Sequence, residues 1–312
     1  MARVSFLGLW IASAALLLCS SCDGGDSGAT MNTGAPSSSV DAPSFSTEGG
    51  FHSRPLGVTL SCATTGASIH VTTDGTVPTS SSTLYTGPIT VVDSMTITAI
   101  AVKEGATSAV SRATYSIIPW NRSITYGSFV DTRDGQEYRT VVIGKQTWMA
   151  ENLNFKPAGA DSGWCYDDRV DGCVKYGRLY SWTSLMQGAP SSEANPSGVQ
   201  GICPAGWHVP SEIEWNTLAR SVGGASAAGP LLKSASGWSE FGSGTDAYGF
   251  RALPGGQYGY GDAGYVGYWW STTEGTGPYA WGRRINYDLQ DSYLTGYNSS
   301  KSSGFSVRCV GR

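Results

Sequence analysis

The fold of the second half of the chain is decided by the stretch GICPAGWHVPSEIEW, from Gly201 to Trp215. Proline and glycine break regular structure in its first part, and Ser211 then precedes Glu214 by three positions. Serine followed three residues later by glutamate, next to an apolar run, is the pattern of a capping box. The stretch therefore predicts a helix that begins after Ser211 and ends near Gly223–Gly224.

The same stretch contains His208, one of only three histidines in the chain. No second histidine or cysteine stands at a metal-binding spacing from it, so a zinc site is not expected. Glu214 is expected to bind the helix backbone, and Glu212 and Glu214 suit the positive N-terminal end of the helix. We interpret the stretch as structural, with His208 packed or hydrogen-bonded, rather than as an active site.

The composition limits the classes of partner. Charged residues make up 14% of the 312 residues, the formal net charge is −4, and no basic block of five or more occurs. A nucleic-acid partner is therefore not expected. The length suits two domains. The 42 glycines and the scarcity of long helical periodicities are typical of a loop-rich, mostly β, extracellular protein.

An export signal is predicted at residues 1–21, where Arg3 precedes an apolar segment too short to span a membrane. The residues LLLCSSCDGG that follow resemble the lipobox of bacterial lipoproteins, although Cys19 stands where leucine is preferred. The resemblance implies lipidation of Cys22 and anchoring to a membrane of the bacterial cell envelope. The alternative is an ordinary secretory signal. Residues 22–48 lack large apolar side chains and are expected to form a flexible tether.

Five cysteines remain beyond the signal and its candidate lipidation site, and four of them lie in the second half of the chain. Export favours disulfides, so this distribution predicts two bridges and one lone thiol. Joining Cys203 to Cys309 would close a loop of about 107 residues and contribute roughly 4–5 kcal/mol in the chain-entropy account. Cys165 and Cys173 would close a short local loop. Cys62 is expected to be a buried, small apolar residue.

Residues 49–118 are predicted to form short strands and turns. Ile69 and Val71 alternate with polar residues, and Asp74-Gly75 is a turn signal. The segments GASIHVTTDGTVPTSSSTLYTGPITV and TITAIAVKEGATSAVSRATYSI resemble the C-terminal Ig-like domain of chitobiases and β-hexosaminidases. The resemblance implies an accessory β-sandwich, and the segment shows no paired carboxylates of a glycosidase.

After a linker at 119–127, the sequence of residues 128–312 changes in character, and nine of the eleven tryptophans lie beyond Phe129. This half resembles the Fibrobacter succinogenes major paralogous domain in the ordered motifs DTRDGQEYRTVVIGKQTWMAENLN, CYDD, KYGRLYSW, GICPAGWHVPSEIEW, GFRALPGG, YWWSTT and GFSVRCV. The resemblance implies a secreted or surface-attached domain with no established biochemical role. Its layout is similar to the C-type-lectin-like fold, which formylglycine-generating enzymes share. We therefore predict a β-rich, two-module protein, with a small Ig-like β-sandwich followed by an α+β C-type-lectin-like domain with two disulfides.

The glycine-rich stretch QYGYGDAGYVGYWW offers aromatic rings for stacking against sugars. The first hypothesis is therefore a binding module for glycan or polysaccharide. For each ring separately, a place in the hydrophobic core is the alternative. The predicted ligand-binding residues are Tyr258, Tyr260, Tyr265, Tyr268, Trp269 and Trp270.

The loop CYDDRVDGC offers Asp167, Asp168 and Asp171 as weak candidates for calcium, although a solvated acidic loop is the commoner outcome. No other metal or cofactor and no catalytic residue is predicted. The second hypothesis is a structural or adhesive protein that docks a surface protein. An enzyme of the formylglycine-generating type is the least favoured hypothesis, because the cysteines it would need are expected to be paired.

Overall fold

The first module is a set of short strands around one apolar core. The computed structural model describes residues 39–52, 54–159, 163–288 and 292–311. The predicted signal at 1–21 and Cys22 lie outside the described residues. The strands of the first module are β1 (Ser44–Phe45), β2 (Gly50–His52), β3 (Leu56–Val58), β4 (Leu60–Ser61), β5 (Ser68–Thr72), β6 (Thr83–Leu84), β7 (Ile89–Val91), β8 (Met95–Lys103), β9 (Ala106–Thr107) and β10 (Ser111–Ile117).

The main sheet of this module has the order β2-β10-β8-β5-β6, with β9 also paired to β8, while β1-β4 and β3-β7 form two small ribbons. The predicted alternation holds, because Ile69 and Val71 of β5 are buried while their neighbours are half-buried. The turn at Asp74 is closed by its carboxylate, which accepts a hydrogen bond from the Thr76 backbone N–H at 3.0 Å. Cys62 is a free thiol and only half-buried at the edge of the core.

The sandwich begins earlier than the sequence predicts. β1 pairs in antiparallel register with β4, and Phe45 packs against the core of the module. The flexible-tether prediction for residues 22–48 is therefore wrong at Ser44–Phe45, because backbone pairing orders a segment whose composition alone would leave it flexible. The part of that tether up to residue 38 lies outside the described residues.

In the second module, the described residues form two five-stranded sheets, four short α-helices and a 3-10 turn at Tyr166–Asp168. The first sheet has the order β11 (Gly127–Val130), β12 (Glu137–Ile143), β13 (Gln146–Met149), β20 (Val310–Gly311) and β15 (Trp207–His208). The second has the order β14 (Leu179–Tyr180), β19 (Phe305–Ser306), β16 (Val266–Glu274), β17 (Tyr279–Asn286) and β18 (Thr295–Ser300). The helices are α1 (Val170–Tyr176), α2 (Trp182–Met186), α3 (Glu212–Ser221) and α4 (Ala225–Leu232).

Helix α3 begins as its sequence predicts. The Ser211 hydroxyl accepts a hydrogen bond from the Glu214 N–H, and the Glu214 carboxylate accepts one from the Ser211 N–H at 3.0 Å. This reciprocal pair is a complete capping box. The chain leaves the helix at Gly223 and Gly224, and the Gly224 N–H donates to the Ala219 carbonyl at 2.8 Å. The boundaries at both ends therefore follow from local residue chemistry.

The described residues contain two disulfides, Cys165–Cys173 and Cys203–Cys309, which confirms the predicted pairs. The second bridge joins the segment before β15 to the end of the chain, across a sequence separation of 106. It lies in an apolar cluster in which both sulfurs are buried. No helix within the described residues is long and apolar enough to cross a membrane.

The two modules pack against each other, and residues 39–312 form one compact unit. Ile118 lies in a small apolar cluster with Tyr176 and Leu253 of the second module. The predicted linker at 119–127 is part of this contact, because the Trp120 ring lies 4.3 Å from the guanidinium carbons of both Arg139 and Arg251. The segment between the modules is thus packed rather than a free spacer.

Candidate functional site

Three of the six predicted ligand-binding aromatics belong to the core. Trp269 and Trp270 are 0% exposed and Tyr268 is buried. Their strand, β16, lies third of five in its sheet, and Trp269 and Trp270 fall in two different core clusters on its opposite faces. Because elements cover both faces of this strand, the prediction that these three rings form an accessible platform is wrong.

The two tryptophans also have internal hydrogen-bond partners. The indole N–H of Trp269 donates to Asn152 Oδ1 at 2.9 Å, and that of Trp270 donates to the Tyr180 carbonyl at 2.7 Å. Buried indoles need such partners, because an unpaired N–H inside a protein costs free energy. These rings hold the sheet in place and are not available to a ligand.

The other three predicted aromatics lie on the loop before β16 and reach the surface. Tyr258 is half-buried, stacks on Trp164 with ring centroids 4.8 Å apart, and donates its hydroxyl to the Asp168 carboxylate at 3.1 Å. That hydrogen bond raises the pKa of the Tyr258 phenol. Tyr260 is 72% exposed and Tyr265 is also exposed. Ligand binding by these three residues stays a prediction.

The carboxylates of the acidic loop are engaged by neighbouring side chains, and calcium binding there stays a prediction. The Asp171 carboxylate pairs with Arg169 at 2.7 Å, and the hydrogen bond from Arg169 lowers the pKa of Asp171. Asp168 accepts the Tyr258 hydroxyl, while Asp167 is exposed. Among the residues that the structure describes, no group of three or more histidine, cysteine, aspartate or glutamate side chains is arranged to hold a metal ion.

A different aromatic surface lies on β17, the strand next to the edge strand β18 of the second sheet. Tyr279 is 45% exposed and Trp281 is 37% exposed. Side chains two residues apart on a strand point to the same face, at a separation of about 7 Å. Across the sheet, Tyr279 is opposite Ser300 and Trp281 is opposite Asn298 on the edge strand β18. We call this surface, defined by Tyr279, Trp281 and Asn298, the β17 face.

The next position along this face, on the edge strand β18, is occupied by Gly296. Gly296 is paired with Arg283, and a Cβ atom on Gly296 would lie 3.5 Å from Trp281 Cζ3 and 3.7 Å from Glu212 Oε2. The indole ring and the carboxylate therefore meet beside the bare backbone of Gly296. A larger side chain there would lie between them.

A charged pair borders the β17 face. Arg283 Nη2 lies 2.6 Å from Glu212 Oε2 and donates to Asn216 Oδ1 at 2.9 Å. Burial raises the pKa of Glu212 and lowers the pKa of Arg283. Within the described part of the chain, Arg283 Nε has no hydrogen-bond partner. Because Arg283 is buried, the polar groups beside the rings that reach the surface are the amides of Asn216 and Asn298.

The sequence interpretation missed this surface, although a signal was present. In YAWGRRINYD, Tyr279, Trp281 and Arg283 recur at every second position, which is the period of one strand face. Alternation shows that residues share a face, but it does not show whether that face is covered. The stretch just before it, with more aromatic residues, is the one that the fold buries.

The chain is a β-rich, two-module protein. In its second module, the Cys203–Cys309 disulfide joins segments that are far apart in sequence. The sequence profile of the Fibrobacter succinogenes major domain matches residues 141–311, more than half of the 312 residues, so the chain belongs to that family. The profile of the chitobiase/β-hexosaminidase C-terminal domain matches residues 47–114, which confirms the two-module assignment. No curated protein matches the chain.

Proposed function

We propose that this protein is an exported, lipid-anchored binding protein that recognises polysaccharide through the β17 face and carries out no catalytic step. One observation carries this proposal. Two exposed aromatic rings, Tyr279 and Trp281, share one strand face beside the Glu212–Arg283 ion pair. An exposed apolar surface rimmed by polar groups is typical of a binding site.

Sugar is the ligand class that suits this combination. A pyranose ring has apolar C–H faces and a rim of hydroxyl groups, so it can lie on an aromatic plane while hydrogen-bonding at its edge. Asn298 and Asn216 are exposed amides near the rings and the ion pair, and amides both donate and accept. The spacing of the rings, about 7 Å, suits contacts with more than one sugar unit of an extended chain.

Export and anchoring complete the proposal. The two disulfides fit an oxidising compartment outside the cytoplasm. We assign residues 1–21 to the export signal and Cys22 to the lipid attachment, in the envelope of a bacterium. Cys22→Ala is then expected to abolish incorporation of labelled palmitate, and undiminished labelling would overturn the assignment. The match to the chitobiase/β-hexosaminidase C-terminal domain fits a carbohydrate-related role.

A binding role also fits the cysteine chemistry. We propose that the second module takes the α+β C-type-lectin-like architecture, which formylglycine-generating enzymes share. All four cysteines of this module, Cys165, Cys173, Cys203 and Cys309, are held in disulfides. A disulfide sulfur is neither a free nucleophile nor a thiolate ligand. A reaction that depends on free thiols in this module is therefore not expected.

The test is binding of the protein without its proposed lipid anchor, residues Asp23 to Arg312, to insoluble cellulose, chitin and xylan. Trp281→Ala and Tyr279→Ala are expected to weaken binding by about tenfold each, because each removes one stacking ring. Phe241→Ala is the matched control, since Phe241 is a strongly exposed ring that is not part of the β17 face. Thermal unfolding of each variant would be measured to check that the fold survives the substitution.

Two outcomes would overturn the proposal. If Tyr258→Ala or Tyr260→Ala abolished binding while Trp281→Ala did not, the loop before β16 would be the binding surface. If the wild-type chain bound none of the polysaccharides but captured a surface protein, a structural or adhesive role would be the correct account.

A further inference from the structure

An open cavity of about 650 Å³ lies at the boundary between the two modules and is lined in part by strand β12. Its volume falls within the range of about 300–1,000 Å³ that is typical of small-molecule sites, which occur preferentially between domains. The cavity shares no residue with the β17 face. Most of its lining is apolar or aromatic and consists of Pro55, Val92, Pro119, Trp120, Ile124 and Tyr126.

The guanidinium of Arg139 belongs to this lining and has no counter-charge bound to it. Within the described residues its side chain forms no ion pair and no hydrogen bond, and its nitrogen atoms are not among the atoms shut off from solvent. The Glu151 carboxylate accepts the backbone N–H of Arg139 at 2.8 Å and lies 3.9 Å from Arg54. Arg122, the other arginine of the lining, is paired with Asp93 at 3.2 Å. Arg139 is therefore the cation that an anion entering the cavity can reach.

The Arg139 guanidinium is held in place by aromatic rings. Its central carbon lies 4.3 Å from the centre of the Trp120 ring and 5.9 Å from that of the Tyr126 ring. A guanidinium that packs its flat face on a ring keeps its N–H groups, which lie in its own plane, free to bind both oxygens of a carboxylate. Such a donor pair is prepared before a ligand arrives, and a preformed site loses little entropy on binding.

A second guanidinium makes the surroundings of Arg139 more positive. The central carbon of the Arg251 guanidinium lies 4.3 Å from the centre of the same Trp120 ring. Burial, together with the positive charge of Arg139, lowers the pKa of Arg251 to about 10. Glu151 and Asp246 act on that pKa in the opposite direction. The two guanidinium groups repel each other, and an anion bound to Arg139 would reduce this repulsion.

We infer that this cavity binds a small organic carboxylate that carries an apolar body. The carboxylate pairs with the Arg139 guanidinium, and the apolar body lies against Pro55, Val92 and Pro119, of which Val92 is 42% exposed. A free organic acid and the C-terminal end of a peptide both present this chemistry. The inference goes beyond the proposed function, because neither the ligand class nor the residues are those of the β17 face.

The test is titration of the protein without its proposed lipid anchor, at low ionic strength, followed by calorimetry or NMR. The probes are hexanoate, N-acetylleucine, N-acetylleucinamide and acetate. Hexanoate and N-acetylleucine are expected to bind about tenfold more tightly than the neutral amide, which lacks the charge, and than acetate, which lacks the apolar body. Tighter binding of N-acetylleucine than of hexanoate would assign the site to a peptide C-terminus, whereas equal or weaker binding would assign it to a free acid.

Substitutions in the lining test the role of Arg139. Arg139→Gln is expected to weaken hexanoate binding by about tenfold, because it removes the charged donor. Arg139→Lys keeps the charge without the paired donors and should lose less. Asp93→Asn removes a carboxylate from the lining and releases Arg122, so it should strengthen hexanoate binding by about two- to threefold. Arg220→Gln, at an exposed arginine outside the lining, is the matched control and keeps the wild-type affinity.

The outcomes separate this site from the β17 face, because Trp281→Ala is expected to lose polysaccharide binding and to keep hexanoate binding. The inference is overturned if neither acid binds at millimolar concentration, or if N-acetylleucinamide binds as tightly as N-acetylleucine. It is also overturned if folded Arg139→Gln binds hexanoate as the wild type does. Should Arg139→Gln fail to fold, since Arg139 also packs on Trp120, the comparison of acid with amide and the effect of Asp93→Asn decide the question.

Discussion

Glu214 Oε1 lies 2.7 Å from Nε2 of His208, and both side chains are buried. The other carboxylate oxygen, Oε2, accepts the backbone N–H of Ser211 at 3.0 Å and that of Ser197 at 3.1 Å. One glutamate thus joins the start of helix α3, strand β15 and the loop that precedes both. His208 and Glu214, the pair that could have suggested a catalytic site, therefore have structural roles in this region.

Glu214→Ala is therefore expected to destabilise the protein by about 3 kcal/mol. The loss combines a capping interaction with buried hydrogen bonds to a charged group. Chemical denaturation measures it, and Glu193→Ala is the control because Glu193 is an exposed glutamate nearby in sequence. A change of less than about 0.5 kcal/mol, the range of ordinary surface substitutions, would show that Glu214 is not the hub of this region.

What could be predicted from the sequence depended on how local the signal was. The start of α3 is encoded within four residues, Ser211 to Glu214, and the structure agrees with it. The burial of Trp269 and Trp270 is not local, because it depends on β16 pairing with β17 and with β19, whose Ser306 is opposite Trp269. No window of sequence around the two tryptophans contains those partners.

The candidate site was harder to predict for the same reason. The sequence drew attention to the stretch with the most aromatic residues, and aromatic density is a property of cores as well as of binding surfaces. Exposure of Trp281 depends on β18, the edge strand, and on Gly296, which leaves the ring uncovered by a side chain. Such a pattern becomes visible only when the strand order is known.

The long-range disulfide should contribute more stability than the short one. Replacing Cys203 and Cys309 by alanine is expected to cost roughly 4–5 kcal/mol, against roughly 2.5 kcal/mol for Cys165 and Cys173, because the longer loop restricts the unfolded chain more. Urea denaturation of the two double variants measures the difference. Equal losses from both would mean that effects in the folded state, rather than loop length, decide the stability.

The packed boundary between the modules predicts that they unfold together. Ile118 is buried beside Tyr176 and Leu253, and its Cδ1 lies so close to Gly237 that a Cβ there would be 2.8 Å away. Ile118→Ala is expected to destabilise by about 2–4 kcal/mol through a lost apolar contact and a cavity.

Calorimetry should show the effect of Ile118→Ala as one shifted transition for the whole chain. The exposed Val142→Ala serves as the control, with an expected change below about 0.5 kcal/mol. Two separated transitions in the wild type, with only one of them shifted by Ile118→Ala, would contradict a single cooperative unit.

Asp246 carries a buried carboxyl group whose titration links stability to pH. Asp246 is almost fully buried, and burial raises its pKa to about 7, although the Arg251 backbone N–H donates to its Oδ1 at 2.7 Å. In the unfolded chain this group ionises near pH 4. Between these two pH values the folded protein holds a proton that the unfolded chain has lost, so stability falls as the pH rises from about 4 to 7.

Asp246→Asn removes this titration while its amide oxygen can still accept from the Arg251 N–H. The melting temperature of the variant should therefore decline less than that of the wild type between pH 4 and pH 7, and the two curves should differ most above pH 7. Glu104→Gln, at an exposed glutamate, is the matched control and should keep the wild-type slope. Parallel curves for Asp246→Asn and the wild type would mean that the buried carboxyl is already ionised at pH 4, stabilised by the nearby guanidinium groups of Arg251 and Arg308.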